Sequence, residues 1–352
     1  MQAKTILFTC LALISLKSFS QKYVTQVKSP GSKEWFYVNE NGEKVIETGY
    51  AKGYSFSPEG YAPVFNPVNK EFYFIDLKGK SLITEITGIR LNEFFGLDIE
   101  GFSDGMVAVK KGGKWGYLNT DGKLAVLLKY TASTQFNGGY AVVRRGKENI
   151  IINKKGEETV VNDPQILSIS RFSEGLAPFK SPEKKMGFVN TDGKIVIPFK
   201  FFSVGYFTNG LAWAKTFDKK VGFINKKGEW VIEPKFLAAG DFDEESGLAK
   251  IKKENERFAY VNRKGEIVEM NDTETLSDFS EGLAYGRRGD KVGFYDANGK
   301  WIIEAQFEAV RPFKNGFAAA KKGDLWGLID KKGKWIINPN YVGIRDVVKI
   351  DR

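Results

Sequence analysis

The chain has 352 residues, no histidine and a single cysteine, Cys10, which excludes Ser-His-Asp and Cys-His nucleophile arrangements, histidine-bound metals and cysteine-built zinc or iron–sulfur centres. A formal charge of +10 at neutral pH suits anionic partners or plain solubility, but lysine far outnumbers arginine, which gives no support to a specific nucleic-acid role. The 38 glycines and 14% aromatic residues point to many turns joining short aromatic strands.

In chain order, residues 1–20 come first and belong to targeting. Lys4, the apolar run at residues 6–16 and the closing Ser18-Phe19-Ser20 predict a signal peptide cleaved near Ser20, hence an exported protein, periplasmic or extracellular. Cys10 follows Leu7-Phe8-Thr9, without the small residue that a lipoprotein signal places before its cysteine. No later stretch approaches the roughly 18 apolar residues of a transmembrane helix.

Beyond the signal the chain repeats itself. The tetrapeptide Asn/Asp-x-x-Gly recurs at a spacing of 34 to 43 residues in nine copies, at residues 39–42, 76–79, 119–122, 153–156, 190–193, 225–228, 262–265, 296–299 and 330–333. A second block, Phe-x-x-Gly, alternates with it at 102–105, 136–139, 172–175, 207–210, 279–282 and 313–316. That block is longer by one residue at 56–60 and by two at 242–247. Within one unit, 175–180, 186–190 and 194–198 are short apolar runs separated by Gly, Pro, Asn and Asp, a strand pattern with no helical period. The Asx side chain can bond the backbone two residues on, and the glycine can take the left-handed conformation, so each tetrapeptide predicts a hairpin tip. Segments such as 199–207 and 307–313 leave room for a short fourth strand or a tight connection.

The runs Lys114-Trp115-Gly116-Tyr117-Leu118-Asn119-Thr120-Asp121-Gly122 and Leu325-Trp326-Gly327-Leu328-Ile329-Asp330 resemble the WG repeat, named for its Trp-Gly pair. The resemblance spans residues 35–341. Met186-Gly187, Val221-Gly222 and Val292-Gly293 keep only the glycine, Trp35-Phe36 only the tryptophan, and Phe72-Tyr73, Asn149-Ile150 and Phe258-Ala259 neither. The resemblance implies an extracytoplasmic bacterial β-repeat protein and transfers no catalytic residue.

The expected fold is all-β: a tandem array of about nine antiparallel hairpin or meander repeats of about 35 residues, sharing a core because one unit cannot bury its own apolar face. The array fills one domain, residues 21–341, and leaves a charged tail, 342–352, as a candidate cover for an exposed edge. Both ends read as whole units and nine exceeds the usual four to eight blades, which favours an open superhelical array; a β-propeller-like closed ring is the alternative.

Candidate binding residues fall in three places. Lys154-Lys155, Lys226-Lys227, Arg263-Lys264 and Lys331-Lys332 share one position in four tips and would form a basic edge for an anionic polymer, against the plainer reading of solvated tips. The stretch 81–101, with Arg90, Phe94 and Phe95, is longer than the equivalent step elsewhere, as binding loops often are. Trp213 stands where other units place Pro178 or Ala319 and departs from the signature position of Trp115 and Trp326, where packing is expected. The acidic runs at 241–245 and 271–275 lack calcium-loop spacing and read as solvated loops; Arg288-Gly289-Asp290 reads as a turn.

The preferred function is a non-enzymatic exported scaffold offering a surface to a protein or an anionic envelope polymer, with no cofactor, metal or catalytic residue assigned. A glycan-acting hydrolase built on an Asp/Glu pair is the alternative; it would need two facing carboxylates in a cleft, one with a raised pKa. A purely structural envelope component is the third possibility.

Overall fold

The computed structural model describes residues 22–94 and 98–351, and the side chains of residues 93, 94 and 98 are not among the described ones. The expected signal peptide and Phe95 therefore lie outside the described residues, as does the side chain of Phe94. Among the described residues every regular element is a strand.

The sixth unit shows the plan. Ser203–Val204, Leu211–Lys215, Val221–Asn225 and Trp230–Phe236 pair antiparallel in chain order as a four-stranded blade. Blades of the same order occupy 132–161, 168–201, 238–268 and 309–341; those at 106–130 and 284–307 have three strands and the one at 62–75 has two. The Asx tips join third and fourth strands. In all nine the Asn or Asp side chain accepts the N–H groups two and four residues on, as Asn225 does from Lys227 and Glu229 at 2.9 and 3.1 Å. The tip glycines have φ between 74° and 84°, the left-handed region that an L side chain avoids.

The first blade is built from both ends of the chain. Lys22–Lys28 pairs on one side with Phe36–Asn39 and on the other with Gly343–Ile344 and Val348–Ile350. Arg345 N–H donates to the Gln26 carbonyl at 2.9 Å, and Thr25 Oγ1 donates to the Arg345 carbonyl at 2.6 Å. The all-β tandem array is as expected, and its ends meet, so the described residues form nine blades in the closed ring held as the alternative rather than the open superhelix. The physical reason is an offset: each blade takes its first strand from the segment trailing the previous repeat, and residues 343–350 supply the one that the first blade lacks.

Adjacent blades are joined by aromatic pairs. The aromatic residue of the third strand meets the Phe of the next blade's turn in Tyr37–Phe56, Phe74–Phe102, Tyr117–Phe136, Phe188–Phe207, Phe223–Phe242, Tyr260–Phe279 and Phe294–Phe313, with ring centroids 4.7 to 5.0 Å apart and tilted or edge-on. At the two remaining junctions Ile151 packs with Phe172, and Leu328 with Val347. Such pairs contribute about 0.5–1.5 kcal/mol beyond the area they bury.

The Trp-Gly glycine has a steric cause. A Cβ on Gly116, Gly187, Gly222, Gly293 or Gly327 would overlap a carbonyl oxygen of the fourth strand. These are the five blades whose seven-residue fourth strand shifts register against the third. Where the glycine is replaced by Ile150 or Ala259 the fourth strand is a short regular pairing, and at Tyr73 a single bridge; the blade with Phe36 keeps the shifted register, but only as two isolated bridges, Trp35 with Tyr50 and Val38 with Lys44. Gly222→Ala is expected to lower unfolding free energy by about 1–3 kcal/mol through overpacking, while Ala259→Gly costs under about 1 kcal/mol; urea denaturation of the two variants checks the asymmetry.

Candidate binding surfaces

The turns between first and second strands interlock from blade to blade. Ser103, Ser173 and Ser280 hydroxyls donate to the carbonyls of Phe136, Phe207 and Phe313 in the next turn, at 2.9, 2.7 and 2.7 Å. The acid before the turn glycine accepts from the following turn's glycine N–H, as in Gly210 to Glu174 at 3.1 Å and Gly316 to Glu281 at 2.9 Å.

The tip cations close this network. Lys154 pairs with Asp104 at 2.7 Å, Lys226 with Glu174 at 3.0 Å, and Lys331 with Glu245 at 3.0 Å and Glu281 at 3.7 Å. Arg263 donates to the Asn209 carbonyl at 2.9 Å. At these four tips the cation meets an acid or amide of the preceding blade's turn, while Thr191 stands where the preceding turn has Gly138 instead. The first member of each proposed basic pair is thus held by its own protein, Arg263 through a carbonyl and the three lysines through carboxylates. Three of the eight tip cations are therefore already neutralised, which weakens the basic edge.

Neighbouring blades share cavities. Glu100, Thr134, Ser170, Arg171 and Tyr206, from four successive blades, line a single cavity of about 680 Å³. The long stretch 81–101 folds its additional residues into a hairpin, Glu93–Phe94 against Asp98–Ile99, whose base is the Asn92–Glu100 pair at 3.0 Å. It springs from the first strand of its blade. Arg90, by contrast, is exposed and bridges Lys110 through its backbone, so the structure does not bring it together with the tip cations or Trp213.

Half-buried, Trp213 lines a separate cavity of about 690 Å³ across the sixth to eighth blades with Asp241, Glu244 and Asp278. Its indole fits over Gly205, where a Cβ would collide with it. Burial, then the neighbouring Asp278 carboxylate, pushes the Asp241 carboxyl up, and the Arg171 guanidinium only partly offsets this. Asp278 pairs with Lys250 at 3.6 Å. The acidic run at 241–245 is therefore a cavity wall in addition to a loop: Asp243 accepts from Gly282 N–H at 3.2 Å and Glu245 holds Lys331. Sequence reasoning missed Asp278. The available signal was register, since Asp241 and Asp278 each stand directly before a turn Phe.

The strongest ion-pair cluster is structural. Glu158 accepts from Lys129 at 2.7 Å, Tyr130 at 2.7 Å and Arg145 at 2.9 Å. Burial pushes its carboxyl up, but these donors outweigh it and hold it down at about 2. A depressed carboxylate stabilises the fold above its unfolded pKa and loses that contribution as pH falls through the folded value. Glu158→Gln is accordingly expected to be less stable than the parent at neutral pH, with the difference closing between the ordinary carboxylate range and a pH of about 2, as followed by urea denaturation.

A family model described as "WG containing repeat" matches residues 35–66, 98–115, 115–148, 186–220, 222–256, 293–326 and 326–349. None of the curated proteins matches the chain. Among solved structures, one titled as the eukaryotic initiation factor is 15% identical with a TM-score of 0.63, covering 94% of this chain and 98% of that one. Dipeptidyl peptidase 4 of Porphyromonas gingivalis is 10% identical with a TM-score of 0.49, covering 81% and 59%. BamB of Moraxella catarrhalis is 8% identical with a TM-score of 0.40, covering 88% of each. The first of these shows a shared fold and nothing of function.

Proposed function

The chain belongs to the WG-containing repeat family, and from that premise we propose that it is an exported, non-catalytic scaffold that captures a protein partner at the inner rim of its ring. The observation that carries this reading is the cavity where Trp213, Asp241 and Asp278 meet across three blades. A half-buried indole beside carboxylates suits a basic, partly apolar peptide segment, which an indole face and negative charge both attract. The tip lysines favour an anionic polymer less, because Lys154, Lys226 and Lys331 are already neutralised by Asp104, Glu174, Glu245 and Glu281. Export rests on residues 1–20, and a secreted product beginning at Gln21 would bear it out.

Pull-down from envelope extract with the mature protein tests the reading. Trp213→Ala and Asp278→Asn should each weaken partner retention about tenfold, while Lys155→Gln and Lys227→Gln leave it unchanged. Retention should also strengthen as pH rises through the elevated Asp241 pKa, since only the ionised form attracts a cation. Retention that follows the tip lysines instead would overturn the proposal.

One observation favours the hydrolase as a second reading: Asp241 holds its proton more tightly than an ordinary aspartate, through burial first and the Asp278 carboxylate second, the kind of environment an acid catalyst needs. Release of reducing ends from peptidoglycan or a neutral glucan, abolished by Asp241→Asn, would support it. No release by the parent protein returns the cavity to binding alone.

A further inference from the structure

Each blade's second strand runs away from the interlocked turns and its third strand returns to an Asx tip, so the second-to-third turns and the links between blades lie on the opposite face. Three consecutive blades repeat one pairing there. Leu167, Phe202 and Leu237, each just ahead of a first strand, donate their N–H groups to the carbonyls of Lys180, Lys215 and Lys252 at 2.8 Å. In the fourth and ninth blades the donor is Thr131 or Glu308 instead. Val342 beside Lys28 repeats the apolar version in the first blade, but only the fifth to seventh carry it in succession.

The sixth blade adds a second ring. Phe217 stands in the turn 216–220, which is closed by Thr216 N–H to the Lys220 carbonyl at 2.8 Å and by Lys219 N–H to the Thr216 carbonyl at 3.1 Å. Its ring meets that of Phe202 edge-on at 5.9 Å, and the Lys219 ammonium lies over Phe202. The matching turns of the fifth and seventh blades, whose left-handed residues are Lys184 and Glu256, place Pro182 and Glu254 there. Despite their contact, Phe202 stays 42% exposed and Phe217 52%. Leu167 is 49% exposed, and Phe258, opening the third strand of the seventh blade, 50%. Large apolar side chains half in water on one sector of one face mark an interaction surface.

Charge selects the partner. On this face of the fifth and sixth blades Lys180, Lys184, Lys215 and Lys219 have no ion pair among the described residues, whereas Glu183 and Glu254 are taken up by Lys185 and Lys220. Only Asp163 and Asp218 stand against those four cations. A second copy meeting this surface about a twofold axis would set lysine against lysine. Phe217 projects from a turn, so the apolar surface is convex and calls for no matching pocket. A lipid headgroup layer admits such groups, and its acidic lipids attract the flanking lysines.

We propose that this sector, carried by the fifth to seventh blades, rests on an anionic lipid surface, with Phe202 and Phe217 entering the headgroup layer and Lys180, Lys184, Lys215 and Lys219 meeting lipid phosphates. The cavity at Asp241 and Asp278 is lined by first-to-second turns and so stays open on the side away from the lipid. The two assignments use separate residues, and either can fail without the other.

The test is flotation of the mature protein with vesicles of phosphatidylcholine alone and of an equal mixture with phosphatidylglycerol, at low and at moderate salt. Flotation with the mixture only, falling as salt rises, is the expected result. Lys215→Gln with Lys219→Gln should lower the partition coefficient at least about tenfold, since each lysine near an anionic surface changes it about fivefold. Phe217→Ser should lower it about tenfold through lost apolar contact. That side chain is exposed, so the variant keeps the parent Tm and its loss of flotation reports a lost contact. Lys155→Gln with Lys227→Gln, on the tip face, should be silent. No flotation with the mixture, equal flotation with both vesicles, or flotation that follows the tip lysines and ignores Phe217 would overturn the assignment. So would a lipid-free dimer in sedimentation velocity that Phe217→Ser dissolves, because the face would then belong to a second copy.

Discussion

Each blade offers one aromatic ring to the turn of the next, and this contact organises the molecule. A four-stranded blade alone would leave both faces of its middle strands wet, as the buried pattern of Val221–Asn225 makes plain. Seating Phe223 against Phe242 removes both rings from water and sets the distance between blades. The polar chain through Ser173, Glu174 and Lys226 lies above this contact and is possible only because the turns have been brought together. The same pairing explains why the two repeated sequence blocks alternate so regularly. One block makes the hairpin whose third strand carries the ring, and the other makes the turn that receives it.

Much of this architecture is legible in the sequence because its determinants are local. The regularly spaced Asx residues three before a glycine each specify a tip through their own side chain, and the short apolar runs between such tips read as strands. Closure is different. Nothing in Gly343-Ile344 marks it as the partner of Val27 and Lys28, because a two-residue strand has no periodicity and its pairing is fixed by the curvature accumulated over all the blades. The Trp-Gly glycine is similarly opaque: its presence is visible, but its cause is a carbonyl oxygen of a strand that has yet to be placed.

The candidate sites follow the same division. The lysine pairs were visible, yet the acids that hold Lys154 and Lys226 lie about one and a half repeats earlier, on a neighbouring blade. Only knowledge of which turn stands beside which tip shows that one member of each pair is spoken for. Trp213 could be singled out as the residue that breaks its own register. Its companions could not, since Asp241 and Asp278 become neighbours only through the ring. The result is two separate cavities of different character, one lined by acids at the seventh and eighth blades and one whose charged residues are mostly cations where the chain ends meet.

The pairing of Thr25 with Arg345 spans 320 positions of the chain, whereas the strands of every other blade are close neighbours in sequence. Local hairpins can form in about microseconds, but a contact of that separation must await nearly complete synthesis and a costly loop closure. Until then Lys22–Lys28 presents an unpaired edge, with Val24 and Val27 exposed, while eight other blades assemble. In vectorial delivery across a membrane the first strand to emerge would be the last to find its place. The interval before closure is the time when a second copy's trailing strand could take that place, making domain exchange the characteristic misfolding hazard of this ring.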